Sequence, residues 1–269
     1  MKDLVNRKAA RRMSEVPDAV KRELDAGTIE TKNLVEWLVV DRLALLKNID
    51  KENALSLSTS GLLALQEELE PLAALKQSQR IGRFLTDYLK VGDAIWKSLA
   101  AHPSDVVREW MAIIVGLSDL KFSRKLAWIK PFADADNAGL RELAWISLRQ
   151  DVISNPVACI NALIPWAGSR NERLRRYASE ITRPCGVWAP YCPVLRKTPE
   201  LAIELLEPLK SDDSKYVRDS VGNWLNDASK TVPDWVKQTT QRWQDSSNTA
   251  ETNYIVRKGL RTLLKKEAS

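Results

Sequence analysis

The sequence predicts an all-α chain, an α-solenoid of HEAT-like helical repeats with a concave binding face. Three observations carry that expectation. Glycine is scarce, 10 in 269 residues, and apolar residues recur at helical rather than alternating spacing. An arginine-centred motif also returns at intervals of one helix pair. No segment reads as a strand.

The first 60 residues form an N-terminal helical cap. Val35, Val39, Leu43 and Leu46 fall on one helical face, and a Ser/Thr-rich stretch (Ser56, Ser58, Thr59, Ser60, Gly61) marks a loop after it. Residues 61–269 continue as the repeat array in one continuous domain, with the clearest copies over residues 103–266. Prolines at Asn155-Pro156, Thr198-Pro199 and Val232-Pro233 stand where segments begin, because proline's fixed φ and missing N–H cost a first helical turn little. Val217, Val221, Trp224 and Leu225 line one face, as do Val256, Leu260, Leu263 and Leu264.

The motif is an apolar residue, an arginine, two variable positions and a second apolar residue. It occurs around Arg108, Arg141, Arg175, Arg218 and Arg257, which are 33, 34, 43 and 39 residues apart. A helix pair of that length cannot bury its apolar face alone, so successive pairs stack. In this architecture a repeat arginine also serves to tie one repeat to the next, which is the structural reading of Arg108 and Arg257.

Composition narrows the chemistry. A single histidine, His102, and three cysteines without CxxC spacing (Cys159, Cys185, Cys192) offer neither a zinc site nor a histidine-dependent triad. No cofactor or metal is expected. The charged N-terminus lacks the apolar core of a secretory signal, and no run suits a membrane span, so a cytoplasmic location is expected. A net charge of +6 favours a polyanionic partner, or serves only solubility.

A repeat protein marks its site where one copy departs from the others. Five residues after each repeat arginine stand Ile113, Ile146, Glu180, Asn223 and Thr262. Nine residues after stand Leu117, Gln150, Pro184, Asp227 and Lys266. Only two consecutive repeats place an acid here. The two positions differ by one helical turn, so Glu180 and Asp227 share a face on neighbouring helices, within reach of a common ligand. Both stand near helix ends, where a carboxylate opposes the dipole and needs a cation. Arg176 and Arg183 flank Glu180 at helical spacing, which leaves a simple surface Arg–Glu–Arg cluster as the alternative. The loop Pro184–Pro193 is too proline-rich for a helix, and it sets Trp188 beside a basic helix, where it stacks on a base or cation or packs as plain core.

The stretches Arg175-Arg176-Tyr177-Ala178-Ser179-Glu180 with Arg183-Pro184 and Trp188, and Tyr216-Val217-Arg218 to Ser220-Val221, Asn223 and Leu225-Asn226-Asp227, resemble the AlkC branch of the AlkC/AlkD DNA glycosylases. That resemblance implies excision of cationic N-alkylated bases, of 3-methyladenine or 3-methylcytosine type, from double-stranded DNA by a monomer that is nucleoid-associated when bound. It implies Glu180 and Asp227 as the catalytic acids and Trp188 and Arg176 beside the lesion. Arg141, Arg149, Arg175, Arg183, Lys215, Arg218 and Asn223 would contact DNA. Where some members carry a further acid one repeat earlier, this chain reads Leu143-Ala144-Trp145-Ile146-Ser147. The alternatives are a non-catalytic binder of damaged or branched DNA and a protein-binding scaffold.

Overall fold

The structure, a computed structural model, describes Leu4 and residues 6–267, the last two of these by backbone alone. The expectations for Met1, Lys2, Asp3 and Val5 in the cap, for Ala268 and Ser269 in the array, and for the Lys266 side chain lie outside the described residues. Among the described residues there is helix and loop but no strand, as the apolar spacing predicts. Among them, too, no helix is long and apolar enough to cross a membrane.

The chain divides into two compact units, Met1–Leu120 with Ala135–Ser147 and Lys121–Asp134 with Leu148–Ser269. The first begins with a 3-10 turn (Met13–Glu15), followed by α1 (Asp18–Ala26), α2 (Leu34–Val39), α3 (Arg42–Asn53) and α4 (Thr59–Leu69). Then come α5 (Ala74–Leu85), α6 (Ala94–Ala100) and α7 (Asp105–Leu117), while α8 (Phe122–Ala133) belongs to the second unit and α9 (Ala138–Ser154) contributes residues to both. Helix α1 packs on α3, and α7 packs on both α5 and α6.

The single apolar face expected of Val35, Val39, Leu43 and Leu46 is interrupted. Val40 ends one helix and Asp41 starts the next, its carboxylate accepting from the Ala44 N–H, a preferred N-cap arrangement. Leu46 is fully buried, whereas Val35, Val39 and Leu43 are only partly so. The break is sealed by Arg42, which donates to the carbonyls of Trp37 and Val40 at 3.0 and 3.1 Å, satisfying the orphan acceptors at the end of α2. The polar stretch 56–60 is loop only as far as Ser58, whose hydroxyl caps α4.

The second unit holds α8, the remainder of α9, α10 (Pro156–Ala167), α11 (Glu172–Ile181) and α12 (Pro193–Lys197). Two 3-10 turns (Pro199–Ala202 and Glu207–Leu209) flank α13 (Ile203–Leu206), and α14 (Lys215–Ala228), α15 (Pro233–Ser246) and α16 (Ala250–Glu267) complete it. Pro156 and Pro233 open α10 and α15 as expected, and Pro199 opens a 3-10 turn. Helix α11 packs against α10 and α14, and α14 packs against α16. Val217, Val221, Trp224 and Leu225 are all fully buried, as their spacing predicts.

Three of the five repeat arginines share one local role, while Arg108 pairs with Glu30 and Arg257 lies over the Tyr254 ring. Each of the three turns its Nη1 back onto the loop that enters its own helix, donating to the carbonyls six and five residues earlier. Arg141 reaches Ala135 and Asp136 at 2.7 and 2.9 Å, Arg175 reaches Ser169 and Arg170 at 3.0 Å, and Arg218 reaches Asp212 and Asp213 at 2.9 and 2.8 Å. A planar guanidinium suits this fork, which holds successive carbonyls that no helix ladder satisfies. The motif therefore encodes the interhelix turn.

Close helix approach is testable at Gly116 in α7, where a Cβ would lie 2.1 Å from the backbone carbonyl oxygen of Ser147 in α9. Backbone cannot yield as a flexible side chain can, so Gly116→Ala is expected to cost roughly 1–3 kcal/mol. Chemical denaturation checks this, and an unchanged midpoint and slope would contradict the packing.

Candidate active site

Helix α11 is capped by Asn171, whose side chain accepts from the Arg173 N–H, and ends at Ile181, one residue past Glu180. Helix α14 ends at Ala228, one residue past Asp227. Two acids thus stand at the negative ends of two helices packed side by side, where each needs a cation.

Arg183 supplies it to both. Its Nη1 donates to Glu180 Oε1 at 2.6 Å, and its Nε and Nη2 meet Asp227 Oδ2 at 2.9 and 2.8 Å. The second oxygens are held separately. Glu180 Oε2 accepts from the Ser220 hydroxyl at 2.7 Å and lies 3.6 Å from Arg176 Nη2. Asp227 Oδ1 accepts from Lys230 Nζ at 3.0 Å. The register argument from the repeats is realised in this way, since the two acids meet on one guanidinium.

The cluster is buried: Glu180 is 3% exposed, Asp227 2% and Arg183 6%. Burial pushes the Glu180 carboxyl up, but the charges of Arg176 and Arg183, with hydrogen bonds from Ser220 and Arg183, outweigh it and hold the carboxyl below its ordinary value. The same balance, with burial opposed by two carboxylates, raises Arg183.

Arg176 also lies over the Tyr216 ring, 4.5 Å from its centroid, a cation–π contact at the edge of the cluster. Trp188 stands on the loop after α11, 57% exposed and at φ +61°. A bulky side chain in this left-handed region costs of order 1–3 kcal/mol. Plain core packing is thereby ruled out for Trp188.

Two residues expected to contact DNA are enclosed in the DNA-free chain. Arg149 is 1% exposed, and its guanidinium donates to the carbonyls of Ile181, Arg183 and Pro190. Arg183 is enclosed between the two acids. Neither guanidinium faces solvent, because buried acceptors already engage it. Arg175 forms a bidentate pair with Asp212 and meets Asp213, while Asn223 accepts from Arg261 at 3.1 Å. Arg141 and Arg218 hold their loops as described. Lys215 is the most open of these cations, with 66% of its side chain exposed and an ion pair to Asp219.

Ser220, Lys230 and Tyr216 were not singled out from the sequence. Lys230 lies one turn after Asp227, so helical spacing alone puts it near that acid, whereas Ser220 reaches Glu180 across the helix pair, which no spacing within one helix reports. Among the described residues, no group of three or more His, Cys, Asp or Glu is placed to hold a metal ion.

A family profile described as DNA alkylation repair enzyme matches residues 123–263, just over half of the chain. The uncharacterized protein YhaZ of Bacillus subtilis (strain 168) is 40% identical over 107 residues, which is 40% of this chain and 29% of that protein. The alkylpurine DNA glycosylase AlkC of Pseudomonas fluorescens, solved bound to DNA containing an abasic site analog, is similar with a TM-score of 0.68 and 26% identity. That match covers 83% of this chain and 63% of the AlkC chain. AlkD2 from Streptococcus mutans is alike in fold, with a TM-score of 0.58 and 23% identity over 79% of this chain and 97% of that one. The chain thus spans less than two thirds of the length of YhaZ or AlkC.

Removing Arg183 leaves two buried carboxylates facing each other, so Arg183→Met is expected to cost about 3–5 kcal/mol, read by chemical denaturation. Glu180 has a depressed folded-state pKa, so its stabilisation is complete above its ordinary value of 4.5 and is lost as pH falls through the lower folded value. The stability gap between wild type and Glu180→Gln is therefore expected to shrink below about pH 4.5. A gap that widens with acid would contradict the assigned ion pairs.

Proposed function

This chain belongs to the DNA alkylation repair enzyme family, and on that premise we propose that it is a DNA glycosylase of base-excision repair. It hydrolyses the N-glycosidic bond of cationic N-alkylated bases, of 3-methyladenine or 3-methylcytosine type, in double-stranded DNA. Its placement in the AlkC branch is part of the same proposal and rests on the sequence strings around Glu180 and Asp227.

The observation that carries the proposal is the convergence of Glu180 and Asp227 on one guanidinium at the ends of two adjacent helices. An alkylated base already bears positive charge and leaves readily, so no general acid is required to protonate it. What the reaction lacks is a negative charge beside the developing oxocarbenium sugar and a group to orient water. A carboxylate held ionised supplies both, and the depressed pKa of Glu180 keeps it ionised. Trp188, exposed on the adjoining loop, offers a π face to the cationic base. Lys215 offers a cation to the phosphate backbone, and Arg176, beside Glu180, stands by the lesion. In the DNA-free chain both acids are engaged by Arg183, so binding exchanges part of that contact for the sugar.

That engagement favours a second reading. Carboxylates closed off from solvent and fully paired are also what a structural cluster requires, and the chain would then bind damaged or branched DNA without releasing a base.

Purified protein with duplex DNA bearing N-methylated bases separates the two. We expect base release from wild type and a loss on the order of 10²–10³-fold in Glu180→Gln and Asp227→Asn, by analogy with removal of one electrostatic stabiliser. Salt-sensitive binding without release from wild type would instead establish the binder.

A further inference from the structure

Arg149 was expected on a DNA-contacting face and is found inside the second unit, which leaves its function to be explained. Its side chain extends from α9 into the space between the end of α11 and the loop that follows. There it donates Nη1 to the Ile181 carbonyl at 2.5 Å, Nη2 to the Arg183 carbonyl at 2.6 Å and Nε to the Pro190 carbonyl at 3.1 Å. The three acceptors are not equivalent. Ile181 ends the helix that carries Glu180, Arg183 is the residue that bridges the two acids, and Pro190 is on the far stem of the loop that carries Trp188. One further bond, from the Cys192 N–H to the Pro184 carbonyl at 3.0 Å, closes the stems.

We infer that Arg149 is a positioning residue that locks the Trp188 loop to the helix end bearing Glu180 and Arg183. The physical grounds are local. A carbonyl at a helix C-terminus lacks a ladder partner, and a buried, unpaired carbonyl costs about 1–3 kcal/mol. A protonated guanidinium satisfies several carbonyls from one centre and complements the negative helix end. Because its donors form a rigid plane, fixing two of them on residues 181 and 183 also fixes the third, and with it Pro190. Trp188 occupies a costly positive φ two residues before Pro190, and a strained residue persists only where its surroundings over-determine it. Arg149 and the Cys192–Pro184 bond are that constraint. Lysine cannot replace it, since its ammonium is a point donor without the planar fork.

The role of Trp188 in base contact rests on the glycosylase reading, but the lock itself does not, and the test keeps them apart. Wild type, Arg149→Lys, Arg149→Met and Trp243→Leu are compared without DNA. Trp243 is a fully buried core residue of α15 whose indole donates to Glu207, and it serves as a destabilised control on a different helix. Amide exchange of Cys192 and chymotryptic cleavage after Trp188 or Tyr191 report on loop opening. With each rate referred to the variant's own global stability, we expect both to rise roughly tenfold to a hundredfold in Arg149→Lys, as for loss of charged hydrogen bonds. Arg149→Met should match or exceed that rise, and Trp243→Leu should show none. Loop rates that follow global stability alike in Arg149→Lys and Trp243→Leu would overturn the lock, even if Arg149→Met failed to fold. Base release adds an independent readout. A fall in kcat with little change in KM in Arg149→Lys supports positioning, whereas no release from wild type refutes the glycosylase reading while the loop rates still decide the lock.

Discussion

The contact on which the second unit's site depends is a single guanidinium placed between two buried carboxylates. Glu180 and Asp227 end neighbouring helices, so each meets the negative end of a dipole as well as the other acid. Arg183 meets both carboxylates and fixes them in orientation, and with Arg176 it holds the Glu180 carboxyl below its ordinary value. Ser220, Arg176 and Lys230 then occupy the outer oxygens. Such a pair is weak evidence of stability for its own sake, because apolar residues of like volume commonly serve as well. Its value is a fixed negative charge, which a reaction developing positive charge on a sugar can use.

The arginines divide into two kinds by what their guanidinium reaches. Three of the repeat motif, Arg141, Arg175 and Arg218, turn back on the loop that leads into their own helix and set interhelix turns. Arg149 and Arg183 are buried at the point where the repeat pattern breaks, one holding backbone carbonyls and the other carboxylates. The excess positive charge of the chain is therefore only partly available to a polyanion, and Lys215, largely exposed, is better suited to one than the enclosed arginines.

Much of this was legible in the residues. Helical periodicity gave the fold class, prolines marked the starts of α10 and α15, and Val217, Val221, Trp224 and Leu225 identified a buried face. The two acids emerged because repeat register converts sequence offset into position on a helix face. What could not be read depends on backbone carbonyls remote in sequence: Arg149 touches residues 181, 183 and 190, and no side-chain pattern reports where carbonyls point. The interruption at Val40–Asp41 escaped for a related reason, since apolar spacing runs through it and only the capping carboxylate reveals the new helix. Family resemblance suggested DNA for Arg149 and Arg183, where burial assigns them inward roles.

The central claim is that Glu180 and Asp227 act as one device through Arg183. A double-mutant cycle on base release from N-methylated duplex DNA tests it most directly, using Glu180→Gln, Asp227→Asn and the double variant. Groups that work as a unit give non-additive losses, so the account predicts that the double variant falls little further than the worse single variant. Losses that multiply would show two independent carboxylates and contradict the account.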